Sequence, residues 1–314
     1  MSQFVEVSFV KQYSSNVFHL SQQKGSKLQD KVRRESQRGV SAFYDRIGAV
    51  DAQTKVGRHV DTTYSDTPHS RRMVTLVDKF YADLVDNEDK LRMLISPESE
   101  YVKAAVMALG RAKDDLLIAA ALGNAYGGVD GATPIALPTS QKIAAHDGTT
   151  TTGVNLNVKT LRAVNALFGA NDVDEEIERF ITVTSYQIQS LLAQTEVTSS
   201  DYNVVKTLVD GKIDTYMGLK FVRTQRLPRS STNITYTVTN GVVGAGTGTI
   251  QASVSRRCFA HAKDGLLLST AKDIMSRITE MPNKHYAHQI YASMHMGATR
   301  MEEEKVIEID CAEV

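Results

Sequence analysis

The sequence has little of what a secreted or membrane protein needs. Its 314 residues include only two cysteines, Cys258 and Cys311. Two thiols cannot form a disulfide framework, which suits a reducing compartment. No segment approaches the roughly 18 consecutive apolar residues of a membrane-spanning helix, so no membrane partner is expected. The first residues lack a basic segment followed by a long apolar run, so no signal peptide is expected.

An excess of one charge is also missing. Lysine and arginine together number 36, aspartate and glutamate together number 36, and the formal net charge is zero. A protein that grips nucleic acid carries a basic excess, because it must neutralise phosphates. Any DNA partner is therefore expected to be enclosed without sequence-specific binding.

Motifs that carry chemistry are absent or incomplete. The sequence contains neither GxxxxGK[ST] nor GxSxG, which removes the phosphate-loop and hydrolase readings. The segment GAGTG at 244–248 lacks a third spaced glycine and precedes a predicted strand, so it is interpreted as a hairpin tip. Cys258 follows Arg257, which could activate the thiol, but a half-buried strand cysteine is the favoured interpretation. We expect no enzyme and no cofactor.

Two clusters resemble metal ligands without matching a metal site. In a strand, His285 and His295 would share one face while His288 points to the other, and no cysteine pair lies nearby. The acidic run from Asp172 to Glu178 lacks the spacing of a calcium loop and predicts a solvated turn. No metal site is expected.

The first part of the chain is polar. Residues 1–43 are interpreted as an arm, and residues 44–72 as a long functional loop, because structureless loops of that length are uncommon in compact domains. Residues 73–86 fit a strand or a helix equally well. A solvated helix is favoured over a nucleic-acid contact for the basic side chains of the arm. These are Lys24, Lys27, Lys31, Arg33, Arg34 and Arg38.

The strongest helix signal covers residues 97–122. Ser96 can cap the helix and Pro97 fits its first position, while Gly123 ends it. An apolar stripe runs through Val102, Val106 and Leu109 at helical spacing. Some 25 residues at about 1.5 Å each predict a beam of roughly 37 Å.

The remaining chain alternates between short helices and strands. An α/β segment is predicted from helices at 157–168 and 201–209 and strands at 179–184 and 219–224. Between these two helices, Thr184 or Ser185 is predicted to cap a short helix that holds Ile188, Leu191 and Leu192. Alternating apolar residues predict a β-hairpin at 233–254. The tail is predicted to form a helix at 268–278 and strands at 286–296 and 305–311.

The order of these parts resembles the Hong Kong 97-type fold of tailed-bacteriophage major capsid proteins. SPESEYVKAAVMALGRAKDDLLIAAALGNAYGG is similar to the spine helix, and DYNVVKTLVDGKIDTYMGLKFVRTQRLP to the axial-domain signature. The resemblance implies an α+β fold. Its implied parts are an N-terminal arm (1–43), an extended loop (44–86), a peripheral domain (87–156) with spine helix 97–122, an axial domain (157–254) with an inserted hairpin (233–254), and returning peripheral strands and helix (255–314).

The resemblance implies a structural function without catalysis. Copies of the chain would form hexamers and pentamers of an icosahedral shell around double-stranded DNA, in the virion, after assembly in the host bacterial cytoplasm. Further implied partners are a separate scaffolding protein, a portal and a decoration protein. The residues expected at contacts between subunits are Lys55, Arg58, His59 and Tyr64 of the loop, and Gly218 is expected at an axial-domain turn.

Two alternatives stay open at this point. The first is an encapsulin-like nanocompartment shell protein of the same fold, which neighbouring genes would distinguish from a phage protein. The second is an α/β enzyme with an unrecognised site. Gel filtration separates the second alternative, because an enzyme runs as a small oligomer and a shell protein runs as capsomers or shells.

Overall fold

The computed structural model describes residues 21–62, 64–86, 98–145, 153–194, 215–231, 233–239, 242–251 and 254–313. Helices and strands both occur, as an α+β fold requires. Backbone contacts divide the chain into two compact units. The smaller unit comprises 1–26, 77–113 and 272–295, and the larger unit comprises 27–76, 114–271 and 296–314.

Three α-helices and sixteen strands lie within the described residues. The helices are α1 (Glu98–Leu122), α2 (Val158–Ala170) and α3 (Ser185–Leu192). The strands are β1 (Arg33–Ser36), β2 (Ser41–Ile47), β3 (His69–Thr75), β4 (Val77–Val85), β5 (Ala125–Gly127), β6 (Thr133–Ile135), β7 (Lys142–Ala144), β8 (Arg179–Val183), β9 (Thr215–Tyr216), β10 (Leu219–Arg223), β11 (Ile234–Thr239), β12 (Val242–Ile250), β13 (Ser255–Ala262), β14 (Leu266–Met281), β15 (Ala287–Arg300) and β16 (Val306–Ala312).

A six-stranded sheet with the order β7-β16-β13-β8-β10-β9 forms the core of the larger unit. Every residue of β16 is buried, including Glu308 and Asp310, whose carboxylates interrupt its apolar sequence. The inward face of α2 is buried as its spacing predicts, through Val158, Leu161, Val164 and Phe168. Asn157 caps α2 by accepting a hydrogen bond from the Thr160 backbone N–H.

A second sheet of the larger unit has the order β2-β3-β5-β6. Its strands β2 and β3 lie in the region of the predicted extended loop. β2 and β3 pair antiparallel from Ser41 opposite Thr75 to Ile47 opposite His69. The prediction of a structureless segment over 44–72 is therefore wrong at both ends. Residues 48–68, here called the loop tip, connect the two strands. The ambiguous segment 73–86 is extended, ending β3 and forming β4.

The long helix is confirmed, since α1 covers 25 residues and ends at Leu122. Its predicted cap, Ser96 and Pro97, lies outside the described residues. In the smaller unit, the backbone of Gly25 crosses α1 at Gly110, where an added Cβ would lie 2.7 Å from Gly25 Cα. Such contacts are closer than side chains tolerate, so this crossing requires a glycine.

The predicted helix in the basic part of the arm is wrong. The described residues there form a 3₁₀ turn and β1, and Leu28 and Val32 are buried. The backbone N–H groups of Lys27 and Leu28 donate to the buried carboxylate of Asp114, at 3.0 to 3.2 Å. In a helix these N–H groups would donate to carbonyls of the same segment. Here the Asp114 carboxylate on α1 accepts from them instead, so the backbone is satisfied without a helix.

The predicted helix at 268–278 is also wrong, since this segment belongs to the 16-residue strand β14. In the larger unit, β1 runs parallel to its first residues, from Arg33 opposite Leu267 to Ser36 opposite Thr270. This pairing supplies hydrogen-bond partners for the backbone at the start of β14, where Leu266, Leu267 and Leu268 are all buried. Tertiary pairing therefore overrides the local helical preference. The complete sheet has the order β1-β14-β15-β4.

The hairpin at 233–254 is confirmed, but its glycines are placed differently than predicted. β11 pairs with β12 from Ile234 opposite Ile250 to Thr239 opposite Val242, with a register shift after Thr237. The glycine-rich segment is therefore strand β12 rather than the hairpin tip. Two further segments, the predicted helix at 201–209 and residues 240–241 at the tip, lie outside the described residues.

The crossing at Gly110 gives a test of arm packing. Gly110→Ala should lower the free energy of unfolding by about 1 to 3 kcal/mol, because the added methyl meets backbone that cannot rotate away. Denaturant unfolding would measure this. The matched control is Gly169→Ala in α2, where the Cβ meets nothing within 4 Å. That variant should be stabilised by about 0.5 to 1 kcal/mol. Equal effects from both substitutions would contradict the close crossing.

Candidate assembly surface and its buried support

The loop tip is an exposed segment with few internal bonds. The Gly48 N–H donates to the Pro68 carbonyl at 2.9 Å, and Gln53 Nε2 donates to Ser65 Oγ at 2.7 Å. Between these links, apolar side chains project into solvent. Val56 is 92% exposed and Tyr64 is 91% exposed. Exposed apolar side chains on a polar loop are typical of a surface that another molecule covers.

All four predicted contact residues lie on this tip. Lys55, Arg58, His59 and Tyr64 are exposed, and His59 has a left-handed backbone with φ 57°. Within the described part of the chain, no hydrogen bond or ion pair involves any of the four side chains. The structure therefore places them together on one accessible segment, with their polar groups available to a neighbour.

A buried arginine supports the base of this loop from the larger unit. Arg300, at the end of β15, is fully buried. Its Nη1 donates to the carbonyls of Ala121 at 3.1 Å and Gly123 at 2.8 Å, and its Nη2 donates to that of Ile135 at 2.9 Å. One guanidinium thus satisfies carbonyls at the C-terminal end of α1 and of β6. Burial lowers the pKa of Arg300, and Glu303 opposes this shift.

Glu303 joins this arginine to the hairpin β2-β3. Both of its carboxylate oxygens accept from Arg72 Nη2 on β3 at 2.7 Å. Arg46 on β2 lies 3.7 Å from the same carboxylate and also donates to the Met301 carbonyl. Arg300 Nε lies 3.5 Å from Glu303. We call Arg46, Arg72, Arg300 and Glu303 the arginine cluster. It fixes both strands of the loop against the core.

A groove of about 590 Å³ opens beside the arginine cluster. Its walls combine basic, acidic and apolar side chains of the hairpin and of the β5–β6 turn. They are Asp45, His69, Ser70, Arg71, Arg72, Gly128, Val129 and Ile135. Sequence reasoning missed this groove and the arginine cluster. A single arginine in the segment GATRMEEE gives no local signal that it is buried, because its partners lie far away in the chain.

Two carboxylates on β16 form a second buried charged group. Glu308 binds Arg257 Nε and lies 3.4 Å from Lys142 Nζ. Asp310, two residues away, has no hydrogen bond at Oδ1 in the described structure. Burial raises the pKa of Asp310 to about 7, and Glu308 adds to the shift while Arg257 and Lys142 oppose it. Asp310 is thus partly protonated near neutral pH.

The other candidate residues lie apart from the loop. Gly218 has φ +77° and follows Met217 with φ 51°, in a two-residue turn between β9 and β10. Two successive residues with positive φ are typical of a mirror-image hairpin turn, which favours glycine. Cys258 is fully buried on β13 rather than half-buried. A hydrogen bond with Cys258, together with burial, raises the pKa of Cys311 well above its usual value.

The histidines do not converge. His285 has a left-handed backbone just before β15, and His295 binds Asp78 at 2.5 Å. His288 and His295 are seven residues apart on β15, so they point to opposite faces. Nowhere in the described ranges do three metal-binding side chains come together. None of the helices that the structure describes is long and apolar enough to cross a membrane.

Comparison with known proteins identifies the family. A family model described as phage capsid protein matches residues 5–313. The chain belongs to the phage capsid protein family. It is a structural shell protein of the virion, it assembles with itself, and it is not an enzyme. No curated protein matches the sequence at a significant level.

Solved capsid structures share the fold over the whole chain at low identity. The capsid of cyanophage P-SCSP1u is 16% identical, covers 100% of this chain and 96% of its own, and has a TM-score of 0.69. The capsid of cyanophage Pam1 is 10% identical, and the match covers 98% of this chain and 97% of the Pam1 chain with a TM-score of 0.71. The head structure of Helicobacter pylori bacteriophage KHP40 is 12% identical, and the match covers 98% of this chain and 96% of the KHP40 chain with a TM-score of 0.70. The predicted Hong Kong 97-type fold is confirmed.

Removing the buried guanidinium should destabilise this capsid protein strongly. Arg300→Met leaves three carbonyls without their donor, so the free energy of unfolding should fall by about 3 to 5 kcal/mol. The control is Arg226→Met, which breaks a partly exposed ion pair with Asp115. Exposed pairs contribute little, so the control should lose less than about 1 kcal/mol. Denaturant unfolding of unassembled subunits measures both, and a similar small loss in each would contradict the cluster's role.

Asp310 should make stability depend on pH near neutrality. Its pKa is about 7 in the folded chain and about 3.8 when unfolded. The stability that the proton confers is fully present below pH 3.8 and is lost as pH rises through 7. Between pH 6.5 and 8 the wild type should lose about 1 kcal/mol more than Asp310→Asn. Parallel pH profiles for the two proteins would contradict the raised pKa.

Proposed function

We propose that this chain is the major capsid protein of a tailed bacteriophage. Copies of it form hexamers and pentamers, which close an icosahedral shell around double-stranded DNA. The observation that carries this proposal is the exposed loop tip, whose apolar side chains have no partner within the part of the chain described. A subunit that works alone gains nothing from such a loop, whereas a shell subunit uses it to reach a neighbour.

The loop tip supplies the contact between neighbours. Residues 48–68 hold few apolar side chains, so they cannot offset the ordering entropy of roughly 1 to 2 kcal/mol per residue. An extended segment of this kind can add to a neighbouring subunit through its backbone, which tolerates polar side chains. Lys55, Arg58, His59 and Tyr64 then contact that neighbour. The arginine cluster holds the two strands that carry the tip, so the contact starts from a fixed position.

The domain assignment follows the same proposal. Residues 1–43 form the arm, 44–86 the extended loop, 87–156 and 255–314 the peripheral domain, and 157–254 the axial domain. Gly218 turns the chain into an axial strand. The peripheral segment 255–314 consists of strands, with β14 in place of the predicted helix.

The proposed partners follow from the shell's task and from the neutral charge of the chain. The DNA is enclosed without sequence-specific binding, because lysine and arginine do not exceed aspartate and glutamate. A separate scaffolding protein is a further proposed partner during assembly in the host bacterial cytoplasm. A portal occupies one vertex, and a decoration protein is a further proposed partner.

Replacing the loop tip separates folding from assembly. Residues 52–66 are exchanged for a Gly-Ser linker of equal length. The melting temperature of the subunit should stay close to that of the wild type, because the tip adds nothing to the core. Shell formation, followed by light scattering and electron microscopy, should be lost. Normal shells would show that the tip does not join subunits.

A point substitution refines this test. Tyr64→Ala removes one exposed aromatic from the tip, and Tyr186→Ala removes another, 61% exposed, from α3. Tyr64→Ala should slow shell formation while Tyr186→Ala should not, since aromatic anchors contribute most of the energy of an interface. Equal behaviour of the two variants would count against a contact through Tyr64.

A further inference from the structure

The arginine cluster, which reaches the groove through Arg72, has more positive than negative charge. Three guanidinium groups, those of Arg46, Arg72 and Arg300, share the single carboxylate of Glu303. Glu308 also acts on Arg300 electrostatically, but it is itself paired with Arg257 and Lys142. A surplus of buried cations is costly unless another anion approaches. The cluster therefore favours an anionic partner at the groove.

Arg72 brings this surplus to the groove wall. The residue is only 3% exposed, and its Nη2 binds Glu303. Its Nε has no hydrogen-bond partner among the described residues. Because this Nε is closed to solvent, Arg72 attracts an anion in the groove through its charge rather than through a new hydrogen bond. A carboxylate suits the neighbouring Arg71, since carboxylates accept hydrogen bonds from guanidinium groups.

The rim of the groove is suited to contact with a protein. Arg71 is half-exposed, binds Asp45 at 2.9 Å and lies over the ring of Phe43 at 5.4 Å. His69 is exposed beside it, and Val129 is 82% exposed. Arginine next to an exposed apolar side chain is characteristic of protein–protein interfaces. A small free anion would make no use of Val129.

The same chain carries an acidic turn of matching chemistry. Glu175 and Glu176, between α2 and β8, are exposed, and no hydrogen bond or ion pair in the described structure involves either carboxylate. The backbone of the turn is held in place, because the Glu176 N–H donates to Asp174 Oδ1 and the Val173 N–H donates to the Phe168 carbonyl, both at 3.0 Å. Arg179 Nη2 also donates to the Val173 carbonyl at 2.9 Å. Two free carboxylates therefore project from a fixed turn.

We propose that the groove of one subunit receives the acidic turn of a neighbouring copy, with Glu175 and Glu176 facing Arg71 and Arg72. No residue of the turn lines the groove of its own chain. Two different surfaces that complement each other make a head-to-tail contact, which closes into a ring when copies repeat around an axis. This inference rests on the proposed function and names a second contact, separate from the loop tip.

Charge reversal with rescue tests the contact. Glu175→Lys/Glu176→Lys and Arg71→Glu should each raise the lowest protein concentration that yields shells by about tenfold, since a lost close charge pair costs on the order of 1 to 2 kcal/mol. Combining all three substitutions should bring that concentration back to within about threefold of the wild type. Arg71→Gln accompanies Arg71→Glu, because it removes the cation without placing a second carboxylate beside Asp45.

The control reverses two exposed acids elsewhere with the same change of charge. Asp30→Lys/Glu280→Lys lies outside the turn, the groove and the extended loop, so it should leave the concentration unchanged. Melting curves of all variants establish that the subunits fold. If Arg71→Glu does not fold, Arg71→Gln and the turn variant decide the outcome by themselves.

The possible results distinguish a failure of this proposed contact from a failure of the proposed function. A wild type that never forms shells would overturn both. Normal shells from the turn variant or from Arg71→Gln would overturn only this contact and leave the groove to a different occupant. Loss of assembly in the single-surface variants without recovery in the combination would also overturn it, because the two surfaces would then act in separate contacts.

Discussion

The larger unit depends on one buried guanidinium. Arg300 donates to carbonyls at the end of α1 and at β6, and it shares Glu303 with Arg72 and Arg46 of the hairpin. A buried cation is tolerated only where several acceptors surround it. The cost of burying this charge is thus compensated by contacts that fix three chain segments at once.

The contacts of Arg300 explain how the loop tip can have a fixed position although its own side chains are not buried. The loop tip contributes almost nothing to the core, and its strands β2 and β3 are half-exposed along one face. The arginine cluster anchors the two strands at their base, so the tip extends from a rigid origin. A shell subunit needs this combination, because a contact between subunits requires a defined direction more than it requires stability of the loop itself.

Sequence reasoning succeeded where the signal is local and failed where partners are distant. The periodicity of α1 and α2 and the alternation of the hairpin β11–β12 correctly predicted these elements. The arm and the segment 268–278 were predicted as helices, yet both are fixed by pairing with distant chain, through Asp114 and β1. The exposed tip residues, including Tyr64, could be located as a polar loop. Arg300 and Arg72 could not, because burial of an arginine depends on acceptors that the local sequence does not show.

The most direct test of the account is electron cryomicroscopy of the purified protein after assembly. Closed icosahedral particles are expected, in which residues 48–68 of each copy lie on an adjacent copy while the base of the hairpin stays against Arg300 and Glu303 of its own chain. Small soluble oligomers alone, or particles in which the loop tip folds back onto its own subunit, would contradict it.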